Sequence, residues 1–319
     1  MLVDTPRGSH EPLPITVIGG YLGAGKTTLL NSILASSGGR RIGVVVNDFG
    51  ALGVDAGLVN AQAGDAPVMN LPNGCVCCTL GDDLGTTLQR LADLQPRLDH
   101  LVVEASGVAD PAAVAAWGTV SPFVPGGVVV AAAADSVRRS ARDRYVGKEV
   151  VQQLVRADLV VLTKTDVVTP ELLVGVKDWV GLQCDAPIVE SAFGSVDVDV
   201  LLGPVIASPS DESRRRDAEQ AHAVSHYVRW AWTPSHPVDS SQLDEFLFRL
   251  PPGLLRLKGV LPVIAGEGIE NRLVQVVGRR SSVTASASPT PLGLEAIGVG
   301  ELVEASTLEA LAVQYLERR

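Results

Sequence analysis

The stretch "GYLGAGKTT", Gly20 to Thr28, decides how this chain is read. Gly20, Gly25, Lys26 and Thr27 satisfy the pattern G-x-x-x-x-G-K-[ST]. The stretch lies between a run with strand character, "PITVIGG", and one with helical spacing, "KTTLLNSILASSGG". In that order, the backbone N–H groups of Gly20, Gly23, Ala24 and Gly25, and those that open the helix through Thr28, can curl around phosphate oxygens. The positive end of the helix lies behind them. Lys26 can reach the β- and γ-phosphates, and the Thr27 hydroxyl can ligate Mg²⁺. A chance glycine-rich turn is the plain alternative, and it gives no reason for strand, loop and helix to follow in the required order. Leu29, Leu30, Ile33 and Leu34 suit one helical face, and Gly38 and Gly39 are expected to end the helix as C-cap residues.

Further short apolar runs follow: "RIGVVVND", "LDHLVVEASG", "GGVVVAAAAD", "ADLVVLTKTD" and "APIVESA". Each closes on polar residues or glycine, as parallel strands with their chemistry at the carboxyl ends do. The expected fold is therefore α/β: a P-loop NTPase with a mostly parallel sheet flanked by helices, followed by a smaller C-terminal α+β domain. Residues 1–14 read as a flexible N-terminal tail, 15–203 as the P-loop domain, 204–223 as a charged, Ser/Pro-rich linker, and 224–319 as the second domain. In the last, "HYVRWAW", "GLLRLKGVLPV", "RLVQVVGRR" and "GLEAIGVG" read as strands. "DSSQLDEFLFRL" and "TLEALAVQYLERR" read as helices.

Composition narrows the function. The chain has 319 residues, 26 Lys+Arg against 36 Asp+Glu and a formal charge of −10, which argues against a nucleic-acid partner. Residues 111–134 carry no charge, but Pro111, Pro122, Pro125 and Gly126-Gly127 interrupt them. They are expected to form a loop and a short buried strand, not a membrane span. No secretory leader is visible, so the four cysteines are expected to be reduced thiols in a cytoplasmic protein.

Several strand ends offer groups to a bound nucleotide. Asp166 of "TKTD", Thr163 to Asp166 with Lys164 between, can accept two hydrogen bonds from guanine N1–H and N2–H₂. Adenine would set its N1 acceptor against the same carboxylate. Asp166 as a helix N-cap is the plainer reading. Glu104 and Gly107 of "VVEASG" could act on Mg²⁺ and on the γ-phosphate, or lie in a solvated loop. Asp48 and Asp135 close two other strands, and either could cap the next segment instead.

"NGCVCCTL", residues 73 to 80, holds three of the four cysteines. Cys75, Cys77 and Cys78 can converge on one tetrahedral ion if the loop turns, and Zn²⁺ suits soft sulfur. Asp48 is the candidate fourth ligand. Cys184 stands apart and reads as a small buried hydrophobe.

In sequence order, "GGYLGAGKTTLLN", "VVVNDFGALGVD", "NGCVCCTL", "VVEASGVADP" and "LTKTD" resemble the CobW family of GTP-dependent metallochaperones. The resemblance extends through "LLRLKGV" and "LVQVVGRR" into the family's C-terminal domain. It implies that Lys26 and Thr27 bind phosphate and Mg²⁺, that Glu104 to Gly107 form a switch, that Asp166 reads guanine, and that Cys75, Cys77 and Cys78 bind a transported metal. The cofactors implied are GTP or GDP, Mg²⁺ and Zn²⁺ or another divalent transition metal. The implied partner is a client metalloprotein, docking on the C-terminal domain. This chain departs from the family pattern at Asp48, commonly Glu, and at Thr163, often Asn. In place of a histidine-rich run it has only His222, His226 and His236 in that region, which favours transfer over storage.

The mechanism expected is a metal-loaded GTPase switch with slow intrinsic turnover, ~10⁻³ to 10⁻² s⁻¹, since no catalytic Gln or built-in arginine finger is evident. Thiolate ligation should expel protons and weaken as pH falls. Two other classes compete. A P-loop small-molecule kinase would draw an arginine lid from Arg138, Arg139, Arg142 and Arg144. A metal sensor or scaffold would bind nucleotide without turnover.

Overall fold

A computed structural model of the chain describes residues 12–46, 68–70, 80–204, 227–266, 268–286 and 293–317. Two compact units emerge, one spanning Leu13–Leu202 and one running from Gly203 onward. Asp48, Cys75, Cys77, Cys78, His222 and His226 lie outside the described residues, as does nearly all of 204–223.

Among the described residues, the first unit is built on a seven-stranded parallel sheet. Its strands are β1 (Leu13–Gly19), β2 (Ile42–Val46), β3 (Val68–Asn70), β4 (His100–Glu104), β5 (Phe123–Ala133), β6 (Leu159–Thr163) and β7 (Ile188–Glu190). They lie in the order β3-β2-β4-β1-β5-β6-β7. Its helices are α1 (Lys26–Ala35), α2 (Leu80–Ala92), α3 (Pro111–Ala115), α4 (Val137–Ala141), α5 (Gly147–Arg156), α6 (Pro170–Gly181) and α7 (Val198–Leu202). Val17 sits level with Val103 and Val128, and successive side chains of a strand point to opposite faces. This row packs with Leu84, Leu88 and Leu91 of α2 and with Val150 and Leu154 of α5. Ile18, on the other face, is equally inaccessible. Burial on both sides explains why these strands read as unbroken Val/Ile/Leu runs.

The strand order places the first site. β1 has β4 on one side and β5 on the other, so the chain leaves β1 toward one edge and later crosses to build the other. The carboxyl ends of strands flanking such a reversal bound a crevice.

Three expectations need correction. Gly38 and Gly39 do not cap α1: Ser36 does, its N–H reaching Ser32 O, and the two glycines take left-handed φ in the turn beyond. Residues 111–122 are not a plain loop, because Asp110 caps α3 by accepting from Ala112 N and a 3₁₀ turn follows over Ala116–Thr119. The buried strand is not short either: β5 begins at Phe123 and carries Pro125 where its pairing with β1 shifts register.

The second unit is antiparallel apart from one short strand. It comprises β8 (Tyr227–Trp232), β9 (Val238–Asp239), α8 (Ser240–Phe248), β10 (Leu254–Ala265), β11 (Gly268–Val277), β12 (Arg280–Ala285), β13 (Gly293–Val299) and α9 (Ala305–Tyr315). The order is β12-β11-β10-β13-β8, with β9 parallel to the end of β10. Leu243 and Phe246 of α8, Leu308 and Ala312 of α9 and Leu316 at its C-cap pack on Trp230, Trp232, Leu257, Leu261 and Val274. Asp239 opens α8 with a capping box, accepting from the backbone while Gln242 accepts from Asp239 N. Among the described residues, no helix is long and apolar enough to cross a membrane.

Candidate functional site

Four loops leave the same edge of the parallel sheet. Register sets Ile18 beside Glu104, Ala133 beside Thr163, and Leu162 beside Glu190, so the residues that follow emerge together.

The first loop runs from Gly20 to Gly25. Gly20 holds φ at 133°, and a Cβ there would lie 2.4 Å from Ala131 O on the neighbouring strand, so only glycine makes this turn without displacing β5. Ala24 N donates to Tyr21 O at 3.0 Å, and Gly25, left-handed at φ 88°, leads into α1 without a side-chain cap. The opening N–H groups of α1 thus have no side-chain oxygen on Gly25 to receive them, the arrangement an anion site requires. Lys26 is 8% exposed, and its Nζ donates to Gly20 O at 2.9 Å and Tyr21 O at 3.4 Å. The ammonium is therefore held over its own loop, where β- and γ-phosphates would meet it.

The second loop follows β4. Glu104, 4% exposed, accepts a hydrogen bond from the Thr27 hydroxyl at 3.3 Å. Two hard oxygen donors meet at the first turn of α1, which fits Mg²⁺, an ion that takes one or two carboxylates and a hydroxyl beside phosphate. Gly107 lies against the first loop, so closely that a Cβ would sit 2.9 Å from Leu22 N. Sequence reasoning missed what fixes this segment. Gln153 of α5, itself buried, donates its amide to Gly107 O at 3.1 Å and to Ala109 O at 3.0 Å. A glutamine between Val150 and Leu154 on a core-facing helix was the available signal.

The third loop is "TKTD". Thr163 is 3% exposed, and its hydroxyl donates to Ala24 O at 2.7 Å, so this side chain ties β6 to the phosphate loop. Lys164 adopts φ 56° and its Nζ stands 3.9 Å from Asp135, both groups partly exposed. Asp166 accepts from Phe193 N at 3.0 Å. That contact reveals the fourth loop, Ser191 to Gly194, which had been read only as the tail of a strand. Thr28 lies under it, with Gly194 close above its methyl group.

Arg139, Arg142 and Arg144 are exposed, and the Arg144 guanidinium stacks on the neighbouring Tyr145 ring at 4.9 Å. These arginines form a solvated face of α4 and the turn after it. Cys184 packs against the core beside α6. Its half-burial pushes the thiol above its usual pKa, so it stays protonated and poorly nucleophilic at neutral pH. Among the described residues, no group of three or more His, Cys, Asp or Glu side chains could hold a metal ion. Cys75, Cys77, Cys78 and Asp48 are not among the residues to which that statement applies.

Comparison with known proteins adds to this geometry. Residues 14–189 match the domain described as CobW/HypB/UreG, nucleotide-binding domain, and residues 227–312 match the cobalamin synthesis protein cobW C-terminal domain. The chain is 32% identical over 294 residues to a zinc chaperone CobW of Sinorhizobium sp, covering 81% of this chain and 80% of that protein. It is 29% identical over 288 residues to the zinc chaperone YjiA of Escherichia coli K12, covering 83% and 85%. It is 31% identical over 271 residues to zinc-regulated GTPase metalloprotein activator 1 of Schizosaccharomyces pombe, covering 79% and 65%. The crystal structure of Zn(II)-bound YjiA GTPase from E. coli aligns at 22% identity with a TM-score of 0.46, over 97% of this chain and all of that one.

Proposed function

We infer the function from one premise, that the chain belongs to the CobW family, both of whose domains match it. It is a GTP-hydrolysing metallochaperone, and its cofactors are GTP or GDP, Mg²⁺ and zinc.

Residue roles follow from the site. Gly20, Gly23, Ala24, Gly25 and the α1 N-terminus through Thr28 cradle the phosphates, and Lys26 neutralises the charge that builds on the β–γ bridge during transfer. Thr27 and Glu104 would hold Mg²⁺, which when bound shields the phosphate oxygens. Gly107 offers its N–H toward the γ-phosphate, and Asp166 reads guanine beside the Lys164 stem. Thr163 ties the phosphate loop to β6 and with Lys164 completes the nucleotide-binding side of "TKTD". Cys75, Cys77 and Cys78, with Asp48, take the transported ion, and a client metalloprotein in the cytoplasm that docks on the C-terminal unit receives it.

One observation carries the nucleotide switch. The segment from Glu104 to Ala109 touches the Thr27 hydroxyl at one end and Leu22 in the middle, and Gln153 holds its carbonyls from behind. A segment bound on three sides has few intermediate positions, so gain or loss of a γ-phosphate moves it as a unit. The test is a titration of anaerobic, metal-free protein with Zn²⁺ against a chromophoric chelator, in a Mg²⁺-GTP analogue, in Mg²⁺-GDP and without nucleotide. Zinc affinity should differ between nucleotide states and that difference should vanish in Cys77→Ser. Equal affinity in all three states would separate the GTPase from the metal.

A further inference from the structure

The loop after β7 is tied to the guanine-reading loop at two points. Thr165 N donates to Ser191 O at 3.4 Å, and Phe193 N donates to the Asp166 carboxylate at 3.0 Å. Ser195 N closes the turn on Ala192 O at 3.0 Å. On its far side the loop presses on the phosphate helix, since a Cβ at Gly194 would lie 2.5 Å from the Thr28 methyl carbon. One short turn therefore touches both the carboxylate that selects the base and the first turn of the helix that binds the phosphates.

Phe193 is an odd choice for that turn. Its φ is 54°, a left-handed conformation that Gly or Asn adopts at less cost than a bulky L-residue. Its ring is 83% exposed, so packing within the protein does not offset that cost. Exposure alone says little, since Leu182 and Phe248 are as open. Phe193 differs in combining an open ring, a disfavoured backbone and an N–H already engaged by Asp166. An aromatic ring three bonds from that nitrogen is within reach of the flat face of a base whose edge Asp166 holds.

We propose that Phe193 is a base-binding residue for the nucleotide, its ring stacking on the face of the purine whose edge Asp166 reads. This rests on the reading of Asp166 as the guanine acceptor. Stacking acts on the base and ignores its hydrogen-bonding edge, whereas Asp166 acts on the edge alone. The phosphates belong to neither.

The test measures dissociation constants of the full chain for GDP, IDP, ADP and ribose 5-diphosphate in wild type, Phe193→Ala and Phe193→Trp. Loss of one stacked base corresponds to roughly 5- to 150-fold. Phe193→Ala should weaken GDP and IDP by the same factor, about tenfold, and leave ribose 5-diphosphate unchanged. Phe193→Trp should keep wild-type affinity, and GDP but not ribose 5-diphosphate should quench its added emission. Two results would overturn the stacking itself: a GDP constant within twofold of wild type in Phe193→Ala, or an equal loss for ribose 5-diphosphate, which would make the residue a prop for the phosphate loop. Wild-type protein that holds ADP as tightly as GDP would remove the guanine reading itself and the proposal with it. A wild-type preference for GDP with no effect of Phe193→Ala would remove the stacking alone.

Discussion

The two sheets of this protein use their edges differently. In the first unit every strand runs the same way, so all the carboxyl ends face one side and the phosphate loop, the Glu104 segment, "TKTD" and the Ser191 turn meet there. In the second unit nearly all neighbours run antiparallel, so strand ends alternate between two sides and their turns disperse. Polar side chains that converge in the first unit bind one another and the loops. In the second, Asp239 caps α8 and Glu309 accepts from the Trp230 indole, each away from the other. A parallel sheet concentrates chemistry and an antiparallel one spreads it, so the units should respond to damage in different ways.

The largest expected effect is on folding alone. Phe246 is fully buried where α8 meets the second sheet, and Phe246→Ala should cost about 3–5 kcal/mol in the stability of that unit. It should be read from urea unfolding followed by tryptophan emission. GDP affinity should stay within about twofold of wild type. A parallel fall in GDP affinity would break the contrast, because it would make the antiparallel sheet part of the nucleotide site.

A smaller effect on binding should come from the first unit. Thr163→Val keeps the shape of the side chain and deletes the hydroxyl that Ala24 O accepts. An unmade buried hydrogen bond of this kind costs about 1–1.5 kcal/mol of folding stability, so the melting temperature of the first unit should fall by a few degrees, and calorimetry should show weaker GDP binding to the loosened phosphate loop. Unchanged affinity would mean that the strand ends shape the phosphate loop without this tie.

The smallest effect sharpens the same contrast through pH. Hydrogen bonds from the Ser241 hydroxyl and N–H hold the Asp239 carboxyl below the usual range. A depressed carboxyl stabilises the fold above its unfolded pKa and loses that contribution as pH falls through its folded one. Asp239→Ala should therefore lower the melting temperature of the second unit by a few degrees near neutrality. The gap from wild type should close on acidification below about pH 3.9. A gap that persists in acid would assign the loss to packing.

How much of this was legible in the sequence depended on how local the signal was. Gly20, Gly25, Lys26 and Thr27 act within a few residues of each other, so their spacing carried the fold class and the phosphate site together. The two-sided burial of β2, β4, β5 and β6 wrote itself into unbroken apolar runs. β3 was missed because three residues carry no period, and β12 because "RSSVTA" pairs through its backbone while its side chains face solvent. β5 was placed too far along because Pro122 and Pro125 argue for a loop, though Pro125 stands at a register shift that tolerates it. Gln153 and the Ser191 turn were hidden for a different reason. Their partners are Gly107, Ala109 and Asp166, tens of residues away, and only the folded chain brings them together.

The Arg40–Asp199 ion pair bears on where this protein can be cut. The matched nucleotide-binding domain stops at residue 189, but the compact unit runs to Leu202. Between those points lie the Ser191 turn and α7, whose Asp199 is clasped by Arg40 from the turn after α1. A truncation placed by homology would discard the clasp and the turn whose Phe193 N–H donates to Asp166. A break just after Leu202 would spare both, so protease sites or fusion partners meant to isolate the GTP-binding half belong there.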